Sequence, residues 1–150
     1  MMRQFQEFDD RLIQAFNRWS IPVLGFSLAV VYLWFGALKV IGASPVLDLV
    51  QSLYPFLPEP LFLKILGVWE LFIGLGLLTR RLLRTTLALL WLQMGGIMLG
   101  LVISPGLFFE HSNPFLLNLN GEFLVKNFVL IAASLVVGGY QVKPLDKVVS

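Results

Sequence analysis

The chain has 150 residues, of which 57% are hydrophobic and 13% charged, with a net charge of +2 and a mean hydropathy of +0.82. A soluble domain carries about 25% charged residues, so this composition leaves too little polar surface to cover a water-soluble globule. With no cysteine and one histidine, disulfide exchange, thiolate nucleophiles, iron–sulfur clusters, Cys-based zinc sites and bis-histidine haem ligation within one chain are excluded.

Residues 1–20 form the first segment. Phe5, Phe8, Leu12, Phe16 and Trp19 recur at steps of three and four, one stripe of a helix, and Arg11 and Arg18 lie away from it. The pattern predicts a short amphipathic helix in the plane of the inner leaflet, with its aromatic stripe in the acyl boundary. Packing of the same stripe against a helix bundle is the alternative.

Residues 21–142 carry four apolar runs: Ile21–Ile41, Leu61–Leu78, Leu87–Ile103 and Phe123–Val137, the last extended by its flanks from Gly121 to Tyr140. Crossing about 30 Å of hydrocarbon takes roughly 17–25 apolar residues in a helix. None of the runs alternates as a barrel strand does. The first run is longer than the apolar core of a signal peptide and follows a mixed-charge segment, so it is read as a retained span. The expected fold class is all-α: a four-transmembrane-helix bundle with an amphipathic N-terminal helix and apolar outer loops, followed by a C-terminal tail, 143–150.

Eight of the eleven basic residues fall in three places: Arg3, Arg11 and Arg18 before the first run, Arg80, Arg81 and Arg84 between the second and third, and Lys143 and Lys147 after the fourth. The loops Gly42–Pro60 and Ser104–Glu122 contain none. The positive-inside rule then predicts that both termini and the middle loop are cytoplasmic. The clustering also removes the nucleic-acid reading that a pI near 9.2 invites. The outer loops are themselves apolar. Ser44-Pro45 reads as a helix start, opening a short segment through Leu53, and the second loop carries Leu107-Phe108-Phe109 and Phe115-Leu116-Leu117. Such loops are expected at the membrane interface, capping the bundle or meeting a partner. His111, in the second loop, reads as a solvated side chain.

Ionisable residues inside spans cost several kcal/mol unless paired or hydrated, about 2.5–3.5 on the insertion scale. This chain places Lys39, Lys64, Glu70 and Lys126 in its spans and Glu122 at the lip of one. The three lysines sit near the outer face, where their stems can snorkel. Glu70 is about 14 Å down its helix at 1.5 Å per residue, close to mid-membrane. Lys39 and Lys126 are its candidate partners from neighbouring helices, whereas Lys64 points about 120° away. Glu122 and Lys126 have the spacing and order of an intrahelical pair, and Asn127 and Gln93 can complete a hydrogen-bonded network. Gly67 and Gly74 flank Glu70 on a smooth stripe, and Gln93 shares a face with Gly96 and Gly100, which suits close approach of another helix or another chain. Two readings follow for Lys39, Glu70, Lys126, Glu122, Asn127 and Gln93: a buried ion-pair network that fixes helix register, or a polar pocket that receives a ligand or proton. No metal-ligand set is expected.

Tyr32-Leu33-Trp34-Phe35-Gly36-Ala37-Leu38-Lys39, Gly67-Val68-Trp69-Glu70 with Ile73-Gly74-Leu75-Gly76, and Gly121-Glu122-Phe123 with Lys126-Asn127-Phe128 resemble the first, second and fourth helices of DoxX-like membrane proteins. The likeness extends from about Arg18 to Val142. It implies a four-helix inner-membrane bundle associated with membrane redox processes, as in a thiosulfate:quinone oxidoreductase subunit and complexes handling oxidative stress. The absence of cysteine separates this chain from any disulfide-exchanging relative. The expected function is an accessory or ligand-binding subunit, taking a lipid-like or quinone-like molecule, and not itself an enzyme. Alternatives are a small-solute or proton-coupled transporter using Glu70, and a quinone-linked oxidoreductase subunit. No cofactor is required, and quinone contact stays open. The expected partners are the lipid bilayer, a membrane or periplasmic protein, or a second copy of the chain; nucleic acid is not among them.

Overall fold

A computed structural model describes residues 2–53, 55, 58, 61–110 and 113–142. Among the described residues five α-helices follow one another: α1 (Met2–Val40), α2 (Leu47–Leu53), α3 (Leu61–Thr79), α4 (Leu83–Ile103) and α5 (Leu119–Gln141). Four of them, all but α2, contain stretches long and apolar enough to cross a membrane. The all-α, four-span architecture expected from the sequence is thus observed. His111 and the tail from residue 143 onward, with Lys143 and Lys147, lie outside the described residues.

The spans are apolar on every side, so greasiness does not say which face turns inward. The buried positions do, and they fall at helical spacing. In α1 they are Gly25, Leu28, Ala29, Tyr32, Gly36 and Lys39; in α3, Leu63, Gly67, Glu70, Ile73, Gly74 and Leu77. α4 contributes Leu87, Leu90, Gln93, Met94 and Gly100, and α5 contributes Gly121, Leu124, Ala133, Ser134 and Val137. Small and polar residues mark these faces because association within lipid depends on close packing and hydrogen bonds rather than on escape from water. Large apolar side chains such as Trp34, Phe72, Leu92 and Val129 point outward, 64–69% exposed. Two tryptophans tie helices together instead: Trp69 Nε1 donates to Leu89 O at 3.3 Å, and Trp91 Nε1 to Ser134 Oγ at 2.9 Å.

The amphipathic N-terminal segment is not a separate element. It continues through Pro22 as the first half of α1, and residues 5–20 are exposed throughout. The aromatic stripe therefore does not pack on the bundle. Arg11 and Arg18 lie at the same end of the bundle as the α3–α4 turn, where Arg80 takes a left-handed φ of 57° and its amide donates to Gly76 O at 2.9 Å.

The opposite end is closed by loops. After α1 the chain turns at Gly42, whose φ of +76° favours glycine, and enters α2 at Leu47, slightly later than the Ser44-Pro45 signal suggests. Past α4 comes a single 3-10 turn at Pro105–Leu107, then an isolated antiparallel bridge between Phe109 and Leu117. Asn118 ends this excursion. Its Oδ1 accepts from Gly121 N at 3.0 Å, capping α5, while its Nδ2 donates to Leu107 O at 3.0 Å. Asn120 Nδ2 reaches the same carbonyl at 3.2 Å. This cap, with Phe108 wholly buried beneath it, is why α5 begins ahead of the apolar run that marks it in the sequence.

Candidate functional site

The site begins at the crossing of α1 and α3. A Cβ on Gly36 would stand 2.7 Å from Gly67 O, and one on Gly67 would stand 2.8 Å from both Gly36 O and Lys39 Cβ. Real side chains do not tolerate such distances, so only glycine at both positions lets the two backbones meet. One turn beyond each glycine stands a charge, Lys39 on α1 and Glu70 on α3. The crossing brings Lys39 Nζ to 2.6 Å from Glu70 Oε2. From α4, Gln93 Nε2 donates to Glu70 Oε1 at 2.5 Å. Lys39, Glu70 and Gln93 are 6%, 6% and 9% exposed, so three helices meet in one buried polar cluster.

Both carboxylate oxygens of Glu70 are thereby engaged. The orientation of the Gln93 amide follows from charge: its NH2 must face the carboxylate, since its carbonyl oxygen would be repelled. That leaves Gln93 Oε1 buried with no hydrogen-bond partner, and the Tyr32 hydroxyl is in the same condition. Most buried polar atoms in folded proteins are satisfied, so each such orphan calls for a physical reason.

Both residues line a cavity of about 410 Å³. Its walls are apolar side chains: Phe35 and Leu38 from α1, Ile65 and Trp69 from α3, Ile97 from α4, and Phe123 and Leu130 from α5. α2 and its approach close it at the capped end through Pro45, Leu49, Val50 and Leu53. The deep end is polar, formed by Tyr32, Glu70 and Gln93, and Lys39 reaches down to it. Beneath lies a solid core of Leu28, Ala29, Ile73, Leu77, Leu87, Leu90 and Val137.

The other residues singled out from sequence lie apart from this cluster. Asn127 is half-buried on the cavity wall. Lys126, its neighbour on α5, faces outward and sets its ammonium 4.9 Å from the centroid of the Phe123 ring. Adjacent residues on a helix point about 100° apart, so Asn127 facing in turns Lys126 out. Glu122 and Lys64 are exposed, and neither joins the Lys39–Glu70 ion pair. Gly100 receives the Leu53 side chain of α2 rather than another chain: a Cβ there would stand 2.9 Å from Leu53 Cδ2. Sequence reasoning passed over Tyr32 as a site residue, although Tyr32, Gly36 and Lys39 share one face at steps of four and three.

Chemically, the cluster is a neutral unit, one cation against one anion, with a spare acceptor on Gln93 and a free hydroxyl on Tyr32. It is equipped to hold the polar end of a largely apolar molecule. The class so defined is a helical, multi-pass membrane bundle with a polar-ended cavity. Comparison with models of protein families, with curated proteins and with solved structures finds no match.

Proposed function

We propose that this chain is an inner-membrane protein that holds a lipid-like or quinone-like amphiphile in its cavity. Its role would be that of an accessory, non-catalytic subunit in a membrane-associated redox or oxidative-stress system. The observation that carries the binding part is the cavity itself: about 410 Å³ of apolar walls ending on Lys39, Glu70 and Gln93. Small-molecule sites typically enclose about 300–1,000 Å³, with apolar lining and a few polar groups that fix orientation. The redox setting draws its support from the DoxX-like resemblance of the sequence. The grouping of Arg11, Arg18, Arg80, Arg81 and Arg84 at the uncapped end supports an orientation with the cavity toward the outer leaflet.

Native mass spectrometry of the gently solubilised protein tests the binding part. The wild-type chain is expected to retain a membrane-derived amphiphile, and Ile97→Trp, which fills the cavity, to release it with little change in melting temperature. A wild-type chain that carries no amphiphile and takes none up from supplemented lipid defeats the reading. Proton or solute flux in liposomes, lost on Glu70→Gln, would favour a transporter instead.

A further inference from the structure

The cavity's polar end also specifies what kind of head group it accepts. We infer that the site selects an uncharged head bearing a hydroxyl, in preference to a carboxylate, an ammonium or a bare carbonyl. This deepens the binding proposal above and rests on it.

Charge decides the first exclusions. Lys39 and Glu70 neutralise one another at 2.6 Å, so the cluster offers no net attraction to an ion. An anionic head would meet the Glu70 carboxylate, and a cationic head the Lys39 ammonium, in a setting too dry to screen either.

Hydrogen-bond inventory decides the rest. One N–H of the Gln93 amide donates to Glu70 at 2.5 Å, and the group that finds no partner in the protein is the amide's acceptor, Oε1. Gln93 Oε1 and the Tyr32 hydroxyl are both buried and unpartnered, in residues 9% and 3% exposed that line the same cavity. A carbonyl or ether oxygen can accept from Tyr32 but has no proton for Gln93, so the amide oxygen stays orphaned. A hydroxyl can donate to Gln93 Oε1 and accept from the Tyr32 hydroxyl, satisfying both. Leaving a buried acceptor unmet is the larger effect, and it sets the preference at about tenfold in affinity. For a quinone-like molecule this selects the reduced, hydroxyl-bearing form; among lipids it selects an alcohol over its ester.

The test compares two matched probes, 4-nonylphenol and its methyl ether, binding to the full chain in nanodiscs, each affinity referred to the probe's concentration in the membrane. The phenol is expected to bind about tenfold tighter than the ether. Gln93→Met should bring that ratio close to one by weakening the phenol alone. Tyr32→Phe should weaken both probes by a similar factor and keep the ratio. Equal affinities in the wild type overturn the hydroxyl preference while leaving the cavity reading standing, and so does a ratio that survives Gln93→Met. Failure of both probes to bind the wild type overturns the two together. If Gln93→Met does not fold, the wild-type ratio and the Tyr32→Phe pattern decide.

Discussion

The uncapped half of the bundle is solid and the capped half hollow, although the same four long helices build both. The difference lies in where glycine lets one helix touch another. In the solid half, a Cβ on Gly74 would lie 2.6 Å from Leu33 Cγ and one on Gly138 would lie 3.0 Å from Leu87 Cδ1, while Gly76 abuts Thr86 directly. These contacts bring α1 to α3, α3 to α4 and α4 to α5. In the hollow half, Gly36 and Gly67 join α1 to α3, but Gly100 meets the Leu53 side chain of α2, and Gly121 meets the Phe108 carbonyl and the Leu117 side chain of the second loop. At these points α4 and α5 face the capping segments rather than another long helix, and a cavity remains. A bundle can thus be closed at one end and open at the other without any change in hydrophobicity along its helices. Lys39, Glu70 and Gln93 sit at the boundary, where the cavity ends on the core.

That boundary is where a single change should do most damage. Lys39→Met leaves the Glu70 carboxylate buried beside Gln93 alone. Removing one partner of a buried pair costs about 3–5 kcal/mol, read here as a fall in thermal stability of the detergent-solubilised protein. Lys39→Met combined with Glu70→Met should recover at least half of that loss, because no charge remains to be buried. If Lys39→Met is neutral, the pair does not join the two halves. A smaller effect separates the halves directly. Leu90 is fully buried in the solid half, so Leu90→Ala should cost about 2–5 kcal/mol. Val50 already borders empty space, and Val50→Ala should cost less than about 1 kcal/mol on the same scale. Similar losses at the two positions would mean that the cavity is not hollow in solution.

The four spans, their helical nature and the burial of Glu70 were all readable in the sequence, because bilayer thickness and the cost of an intramembrane charge are local constraints. The choice of partner was not. Lys39 and Lys126 were equivalent as snorkelling amines, and only the Gly36–Gly67 crossing distinguishes them by setting Lys39 beside Glu70. Glu122 with Lys126 fits the helical pairing rule, yet both are exposed, where such a pair is worth little and the Phe123 ring attracts the ammonium instead. The cavity was illegible for a different reason. It depends on α2 and Phe108 folding over the bundle, and in a loop an apolar residue that roofs a cavity looks the same as one that lies on lipid. Tyr32 showed only an aromatic on a span, since its lack of a partner is a property of three helices together.

The most local expected effect concerns the cap, and it asks whether the hollow half is held shut from one point. Asn118 performs two tasks: its Oδ1 accepts from Gly121 N, and its Nδ2 donates to Leu107 O. Its backbone N–H adds a bond to Phe108 O at 3.1 Å. Asn118→Ala removes both side-chain bonds and keeps the backbone one. Loss of an N-cap costs about 0.5–2 kcal/mol, and the partner carbonyl at Leu107 keeps its bond from Asn120. The expected outcome is a loss of about 1 kcal/mol, confined to the capped half: faster amide hydrogen exchange at Leu107, Phe108 and Gly121, with exchange at Leu87 and Leu90 unchanged. Asn118→Ser should retain most of the protection at Gly121, because a serine hydroxyl caps nearly as well, while losing the tie to Leu107. Faster exchange in both halves would show instead that the bundle opens as one unit, and that its hollow end has no separate latch.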